Sequence, residues 1–291
     1  SSYLVFSTGG EEVLPVARVE SGNHFSFGKR ASLILPGGDT LLIAPGVADT
    51  LDEQLPFVSN NGETLIYHTP RTADSLVYNT LKIPRGGAYS LQLSDGTKVM
   101  LNSDSRLKFP VRFREDYREV YLLSGEAYFE VERDESKPFL VHTSRGCVKV
   151  LGTEFNVRDY PEEHRVVTTL VNGSVQFTGK DKKKVVLEPG FQVVADSLTG
   201  TWDVREVNLK EYVGWRNGLY VFSHLTLEEL MRVIERNYDV TVFFANEECK
   251  RLVFSGDLQK YETVEHFLRF IETGGDVRFV VKERTITVYK K

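Results

Sequence analysis

The apolar residues follow two different periods along this 291-residue chain, and the change between them is the strongest constraint on the fold. Up to about residue 207, short runs alternate apolar and polar residues, and Gly, Pro, Asn and Asp separate the runs. Side chains on a strand have a period of two, so these runs predict short β-strands joined by tight turns. We therefore expect a mainly β protein whose first part is an elongated β-roll or sandwich of stacked hairpins.

A twelve-residue repeat lies within this β region, because residues 32–43 align without gaps on residues 90–101. Pairing Leu35 with Leu41 in the first copy, and Leu93 with Val99 in the second, requires a loop of odd length or a bulge. A weaker similarity links residues 122–129 to residues 170–177. Both similarities predict recurrent hairpin units within one β body.

After residue 217 the period becomes helical. Thr226 and Glu229 have the spacing of a capping box, and an apolar stripe follows them. The stripe recurs 37 residues later; its members are Leu227, Leu230, Met231 and Ile234, and then Val264, Phe267, Leu268 and Ile271. Each stripe lies between two strand-like runs. This part is expected to be a small α+β domain with two βαβ units and a last strand.

These patterns predict four segments. Residues 1–84 form an N-terminal extension of the β body, and residues 85–207 form a β domain. Residues 208–217, which are rich in charge and include Trp215, are the linker. Residues 218–291 form the C-terminal α+β domain.

Composition argues against several functional classes. The net charge is −5 and the 36 Lys and Arg residues are scattered, unlike the basic patch of a nucleic-acid-binding protein. The six histidines are dispersed, and no phosphate-binding loop, Rossmann fingerprint or nucleophile elbow is present. We expect no metal, no cofactor and no conventional enzyme site. Cys147 and Cys249 are predicted to be small buried hydrophobic residues.

Two further segments bear on location and partners. No apolar run approaches the about 18–20 residues that a membrane helix needs, so any span is expected outside these residues. Residues 180–184 (Lys-Asp-Lys-Lys-Lys) lie between two strand-like runs. They are predicted to be an exposed hairpin tip, with contact to a partner or an anionic surface as a secondary hypothesis.

Gly152 and Thr153 lie where the alternation changes phase, since apolar residues before the pair have even numbers and those after it have odd numbers. A glycine there would permit a bulge or a tight connection between two strands. Alternatively, the Thr153 hydroxyl could attack the Gly152 carbonyl and cleave the chain, if a base and oxyanion donors were near. No base is identifiable from the sequence, so the connection is the favoured interpretation.

Five stretches together resemble the periplasmic part of FecR-family anti-sigma factors in order and spacing, over about residues 83–207. They are residues 91–103 (LQLSDGTKVMLNS), 118–131 (REVYLLSGEAYFEV), 137–143 (KPFLVHT), 148–157 (VKVLGTEFNV) and 187–192 (LEPGFQ). The C-terminal domain resembles the small domain that follows in a long branch of this family. That domain is itself similar to the secretin/TonB short N-terminal (STN) domain.

The resemblance implies the function of a sensor. Such proteins are anchored in the inner membrane, and a cytoplasmic segment holds an extracytoplasmic-function sigma factor. Their periplasmic part binds the signalling domain of a TonB-dependent outer-membrane transporter. This chain would be the periplasmic part, without the cytoplasmic segment and the transmembrane helix. Some members of the family cleave themselves at a bond like Gly152–Thr153.

The C-terminal domain is the expected binding surface, because a small sheet accepts a partner by pairing along an edge strand. The expected strands are residues 219–222 and 252–255, with Tyr220, Phe222 and Phe254 as contacts. An alternative function is that of a carbohydrate-binding or adhesin-like β protein, which requires exposed aromatic platforms. The only tryptophans, Trp202 and Trp215, do not lie in an aromatic cluster of the sequence.

Overall fold

A computed structural model describes residues 28–43, 55, 57–68, 76–259 and 264–291. They form two compact units, which we call the N-terminal unit (Gly28–Val213) and the C-terminal unit (from Gly214 to Lys291). The boundary falls within the segment predicted to be a linker. That segment is helical, with an α-turn followed by a 3-10 turn over Gly214–Asn217.

The N-terminal unit consists almost entirely of strands. Its described elements are β1 (Gly28–Lys29), β2 (Ala31–Ile34), β3 (Thr40–Ile43), β4 (Val58–Asn60), β5 (Thr64–Tyr67), β6 (Tyr78–Ile83), β7 (Gly87–Gln92), β8 (Lys98–Leu101), β9 (Ser105–Pro110), β10 (Arg118–Glu130), β11 (Phe139–His142), β12 (Gly146–Val150), β13 (Glu154–Asp159), β14 (Arg165–Asn172), β15 (Val175–Gly179), β16 (Lys184–Leu187), β17 (Phe191–Asp196), β18 (Trp202–Glu206) and helix α1 (Leu209–Val213).

Strands β2–β18 form two layers that share one core, and β1 pairs with β7 in parallel. Layer I has the order β3-β2-β6-β9-β10-β11-β12-β15-β16. Layer II has the order β4-β5-β7-β8-β10-β13-β14-β17-β18. The long strand β10 belongs to layer I up to Ser124 and to layer II from Gly125. The mainly β fold predicted from the alternating runs is confirmed.

The core lies between the two layers and is aromatic at its centre. Phe129 of layer II lies 6.3 Å from Phe139 of layer I, and Tyr67 of layer II lies 5.0 Å from Phe109 of layer I, between ring centroids. Phe109, Phe129 and Phe139 are completely buried. Burial of this apolar surface from both layers is the main force that holds them face to face.

The chain alternates between pairing within one layer and crossing to the other. Crossings occur at residues 84–86, 102–104, 125, 131–138, 151–153, 173–174 and 188–190. Gly125 and Gly173 have φ values of 102° and 94°, a left-handed conformation that favours glycine. These two glycines are the equivalent positions of the weaker repeat. That repeat was predicted to form hairpins, but its two copies are instead the points where the chain changes layers.

The twelve-residue repeat gives the same hairpin twice, as β2–β3 in layer I and β7–β8 in layer II. Each loop has three residues and ends in a glycine with φ of 92°, Gly38 or Gly96. The predicted odd-length loop is therefore confirmed. The predicted register is wrong by two residues, because Leu33 pairs with Leu41 and Leu91 pairs with Val99.

The C-terminal unit contains two helices and five strands in its described part. They are β19 (Leu219–Thr226), α2 (Leu227–Tyr238), β20 (Thr241–Phe244), β21 (Val253–Gln259), α3 (Val264–Gly274), β22 (Val277–Lys282) and β23 (Thr285–Lys290), with a 3-10 turn over Glu247–Arg251. The predicted order strand-helix-strand occurs twice. The strands that flank each helix lie in different sheets, however: β19 pairs with β21, whereas β23 lies between β20 and β22.

Both helices form where the apolar stripes predict them. Thr226 Oγ1 accepts a hydrogen bond from the Glu229 N–H (3.2 Å), and Glu229 Oε2 accepts one from the Thr226 N–H (2.9 Å). This is the predicted capping box, which satisfies two backbone donors that an α-helix leaves unpaired. All eight stripe residues are buried in the core of the unit. Neither helix, nor any other described helix, is long and apolar enough to span a bilayer.

Candidate functional site: the strand edges of the C-terminal unit

Strands β19 and β21 form a two-stranded antiparallel sheet, in which each described strand has one paired side. Leu225 pairs with Phe254 and Thr226 pairs with Val253, and the register shifts between Phe222 and Leu225. His224 lies in this bulge with φ of 54°. Its N–H donates to Ser255 Oγ at 2.8 Å. The two strands predicted to bind a partner are therefore paired with each other, and both are edge strands.

The hydrogen bonds identify which backbone groups of β21 face outward. The Leu227 N–H donates to the Leu252 carbonyl at 2.7 Å. Hydrogen-bonded and non-hydrogen-bonded pairs alternate along an antiparallel ladder. The Leu225–Phe254 pair is therefore hydrogen-bonded, and Val253 directs its N–H and C=O away from β19. The Val253 side chain is 57% exposed, so the edge carries an accessible apolar residue.

The three aromatic residues predicted as contacts are placed differently from one another. Phe222 is only 5% exposed and packs in the core, with its ring 6.4 Å from that of Phe267. Its prediction as a surface contact is wrong, because a partner cannot reach it in the folded unit. Phe254 and Tyr220 are partly buried, and Phe254 packs against the core. The exposed neighbour Val253 was missed; its alternation with Phe254 was the available signal.

A glutamate accepts a hydrogen bond from one outward N–H on each edge of the three-stranded sheet. Glu235 Oε1 of α2 accepts a hydrogen bond from the Val242 N–H of β20 at 2.9 Å. Glu272 Oε1 of α3 accepts one from the Phe279 N–H of β22 at 2.6 Å. Each glutamate precedes its partner by seven residues, and the two bonds are related by the 37-residue repeat of the sequence.

The two capped N–H groups face away from the central strand β23. Thr241 and Ala245 donate to the Arg284 and Val288 carbonyls, so Val242, between them, faces outward. On the other edge, the Lys291 N–H donates to the Asp276 carbonyl, and alternation along the ladder turns Phe279 outward. A carboxylate on such an N–H occupies the donor that an added strand would use. Among the described residues, no carboxylate hydrogen bonds to the outward N–H of Val253 in β21.

Gly152 and Thr153 form a crossing between layers, from β12 to β13. This crossing explains the change of phase. Thr153 is 5% exposed, and its hydroxyl donates to the Ser174 carbonyl at 3.0 Å. A carbonyl oxygen cannot take the proton of the hydroxyl, and no titratable side chain in the described part of the chain hydrogen bonds to it. A Cβ at Gly152 would lie 2.6 Å from Arg133 Cα, so a glycine is required by this close approach.

The remaining features that the sequence analysis singled out are the tryptophans, the exposed aromatic platforms and the cysteines. Trp202 packs against Phe177 in the core, at 5.1 Å between ring centroids. On layer I, the Tyr121 and His142 rings stack at 4.6 Å between centroids, so each ring covers one face of the other. Burial raises the pKa of the Cys147 thiol to about 11. Both cysteines carry free thiols.

No cluster of three metal-binding side chains occurs in the part of the chain that the structure describes. Of the two small sheets, one has a glutamate on an outward N–H at each edge, and the other has the exposed Val253 at an edge.

Two family profiles match the chain and together cover more than half of it. Residues 79–195 match "FecR protein", and residues 219–288 match "FecR, C-terminal". The two matches correspond to the main parts of the N-terminal and C-terminal units. No curated protein matches the chain significantly in sequence.

Two crystal structures of a proposed anti-sigma factor from Parabacteroides distasonis are similar in fold, each with a TM-score of 0.68 and 26% sequence identity. The similarity covers 73% of this chain in one structure and 74% in the other, and 99% of the other chain in both. The family profiles and the shared fold lead to one assignment. The chain belongs to the FecR family of anti-sigma factors.

Proposed function

We propose that this chain is the periplasmic sensor portion of a transmembrane anti-sigma factor, which relays a signal by protein–protein binding. Membership of the FecR family supports the anti-sigma role. The observation that carries the binding role is the contrast between the two sheets of the C-terminal unit. Glutamates close both edges of one sheet, whereas the other presents Val253 at an edge.

The partner on the signalling side is the signalling domain of a TonB-dependent outer-membrane transporter. In the full-length protein, a transmembrane helix anchors the sensor in the inner membrane, and a cytoplasmic segment binds an extracytoplasmic-function sigma factor. The family resemblance supports these assignments. The likeness of the C-terminal unit to the STN domain remains a prediction, and it would make the two interacting domains related in fold.

In the proposed complex, a strand of the signalling domain adds to β21. Main-chain hydrogen bonds to Val253 supply affinity, and the exposed side chains of Val253 and Ser255 supply selectivity. Phe254 supports this edge from below because its ring packs against Gly275, where an added Cβ would lie 2.8 Å from Phe254 Cζ.

The test replaces Val253 by proline. Proline removes the outward N–H but no hydrogen bond to β19, and the preceding Leu252 already has φ of −61° and ψ of 136°, which proline tolerates in its neighbour. Isothermal titration calorimetry would use the purified signalling domain of the transporter encoded beside this chain. We expect at least a roughly tenfold loss of affinity for Val253→Pro and near-unchanged affinity for the matched control Val253→Thr.

Circular dichroism would verify that each variant is folded. Equal affinity of the folded Val253→Pro variant and the unaltered chain would contradict binding at β21. If the unaltered chain binds no signalling domain of a transporter, the result would contradict the sensor role itself.

Self-cleavage at Gly152–Thr153 is not part of the proposed function. The Thr153 hydroxyl donates to the Ser174 carbonyl, and no titratable side chain among the described residues hydrogen bonds to it. Intact-mass analysis after long incubation is expected to give the undivided chain of 33.1 kDa. Two fragments that meet at this bond would show instead that the chain processes itself.

A further inference from the structure

A second strand edge, in the N-terminal unit, has the geometry and charge of a binding site. Strand β16 is the last strand of layer I and pairs with β15 alone among the described strands. The loop between β15 and β16 is the Lys-rich hairpin tip of residues 180–183. Nothing in the proposed function uses this edge.

The hydrogen bonds of the hairpin determine which residues of β16 face outward. The Gly179 N–H donates to the Lys183 carbonyl at 3.0 Å, so these two residues form a hydrogen-bonded pair. Alternation along the ladder makes Phe177–Val185 the next hydrogen-bonded pair. Lys184 and Val186 therefore direct their N–H and C=O groups away from β15, toward the edge.

The side chains of β16 divide between the core and the surface in the same alternation. Val185 packs against the core, and Leu187 is buried in it. Lys184 is exposed, and Val186 is 63% exposed on the outer face of layer I. An added strand would thus find two outward backbone residues, one cationic and one aliphatic, on the same surface.

The surroundings of this edge are strongly cationic, although the whole chain has a net charge of −5. The exposed lysines are Lys149, Lys180, Lys182, Lys183 and Lys184. Lys149 lies on the same outer face, because Lys149 pairs with Gln176 and Gln176 pairs with Val186. Two exposed carboxylates are close in sequence: Asp181, paired with Lys183 at 3.3 Å, and Glu188. The lysines outnumber them.

The edge strand of layer II at the same end of the sheets is different. Strand β18 exposes Asp203, Arg205 and Glu206, and Arg205 Nη1 lies 3.5 Å from Asp203 Oδ2. Charges of both signs along an edge discourage pairing with another strand. At β16 the one charged residue of the strand is Lys184, and lysines outnumber carboxylates around it, which discourages pairing with a second copy of the same edge but favours an acidic strand.

We propose that the β16 edge binds an extended acidic segment of a partner protein by strand addition. The segment forms main-chain hydrogen bonds with Lys184 and Val186, places an aliphatic side chain against Val186, and directs its carboxylates to the lysines. A peptide fits better than an anionic membrane, because a membrane offers no main chain for the outward N–H and C=O groups.

The test uses an acetylated heptapeptide of alternating Glu and Val residues and the isotope-labelled full chain. Nuclear magnetic resonance is expected to show shifts of the Lys184 and Val186 amides, with an affinity that falls by about tenfold or more between low and high salt. Val186→Pro removes an outward N–H and no β15 bond, so it should abolish binding. Val186→Thr keeps the N–H and should bind nearly as well as the unaltered chain.

A charge-reversed variant, Lys182→Glu with Lys184→Glu, should lose at least tenfold in affinity. If Val186→Pro does not fold, Val186→Asp replaces it, because aspartate keeps the N–H and repels the acidic peptide. Unchanged peptide binding by folded Val186→Pro or, where that variant does not fold, by Val186→Asp would overturn the proposal, as would no binding by the unaltered chain. Binding of phosphatidylglycerol vesicles by both the unaltered chain and Val186→Pro, without peptide binding, would assign the patch to a membrane.

Discussion

Each unit of this protein contains an internal sequence repeat, and the two repeats are used differently. In the N-terminal unit, residues 32–43 and 90–101 form the same hairpin in opposite layers. In the C-terminal unit, the 37-residue repeat places the same glutamate bond on opposite edges of one sheet. The first repeat adds a hairpin to each layer of the β body. The second places a carboxylate on an outward N–H at each edge of a small sheet.

The difference shows that a repeat preserves local geometry and leaves its tertiary use open. A three-residue loop with a left-handed glycine forms in either layer, because all its hydrogen bonds are local. A glutamate seven residues before a strand position reaches that strand's outward N–H in both copies. Whether a repeated unit extends a β-sheet or caps the edge of one depends on which strands occupy the neighbouring positions. In the part of the chain that the structure describes, no glutamate hydrogen bonds to an outward N–H of β21, and it is at this strand that we place the transporter contact.

The largest effect is expected where the core of the C-terminal unit is disrupted. Phe222→Ala removes a ring that is 5% exposed and should lower the free energy of unfolding of this unit by about 3–5 kcal/mol. Chemical denaturation followed by circular dichroism would measure it. The matched control Val253→Ala, at an exposed site, should change it by about 0.5 kcal/mol or less. If Phe222→Ala were as stable as Val253→Ala, the result would contradict the placement of Phe222 in the core.

The two hairpin glycines test whether the first repeat is equivalent in both layers. Gly38→Ala and Gly96→Ala each place a Cβ on a residue with φ of 92°, which should cost about 1–2 kcal/mol. Gly96→Ala should cost more, because its Cβ would lie 3.2 Å from Glu132 Cγ, whereas nothing lies within 4 Å at Gly38. Urea unfolding would measure both variants. If only one of the two substitutions lowers the free energy of unfolding, the two hairpins are not equivalent.

The two glutamates test the closure made by the second repeat, with a smaller effect. Glu235→Ala and Glu272→Ala should each cost about 1 kcal/mol and should speed amide exchange at Val242 and Phe279, respectively. Glu→Gln variants, which keep an acceptor oxygen, should recover part of the protection. Size-exclusion chromatography is expected to show more self-association for the double Ala variant than for the double Gln variant. If both amides exchange as slowly in the Ala variants as in the unaltered chain, the glutamates do not protect these edges.

Much of the fold is predictable because it depends on neighbouring residues. The capping box at Thr226 and Glu229 and both helical stripes were found at the predicted residues, since helix formation is local and the stripes repeat with the helix period. The odd length of the hairpin loops was also correct. The register was wrong because a three-residue loop with a left-handed glycine allows Leu33, rather than Leu35, to oppose Leu41.

The candidate site was less predictable. The strand β19 is apolar on both faces around Tyr220, Val221 and Phe222, so alternation cannot tell which face is buried. Burial of Phe222 follows from its contact with Phe267 of α3, more than forty residues away. The exposed Val253 and the carboxylate caps likewise depend on which strands pair. No family motif marks the edge of β16, although the lysines beside it are visible in the sequence.

The sequence by itself determined the two periodicities, the turn glycines, the helix starts and the family, because each depends on residues within a short span. Only the tertiary structure decided that Gly125, Gly152 and Gly173 are crossings between layers, and that the edges at Val242 and Phe279 are closed. Strand order, and with it the location of outward backbone groups, results from burying apolar faces brought together from distant parts of the chain. That balance of packing over the whole core is not encoded at any single position.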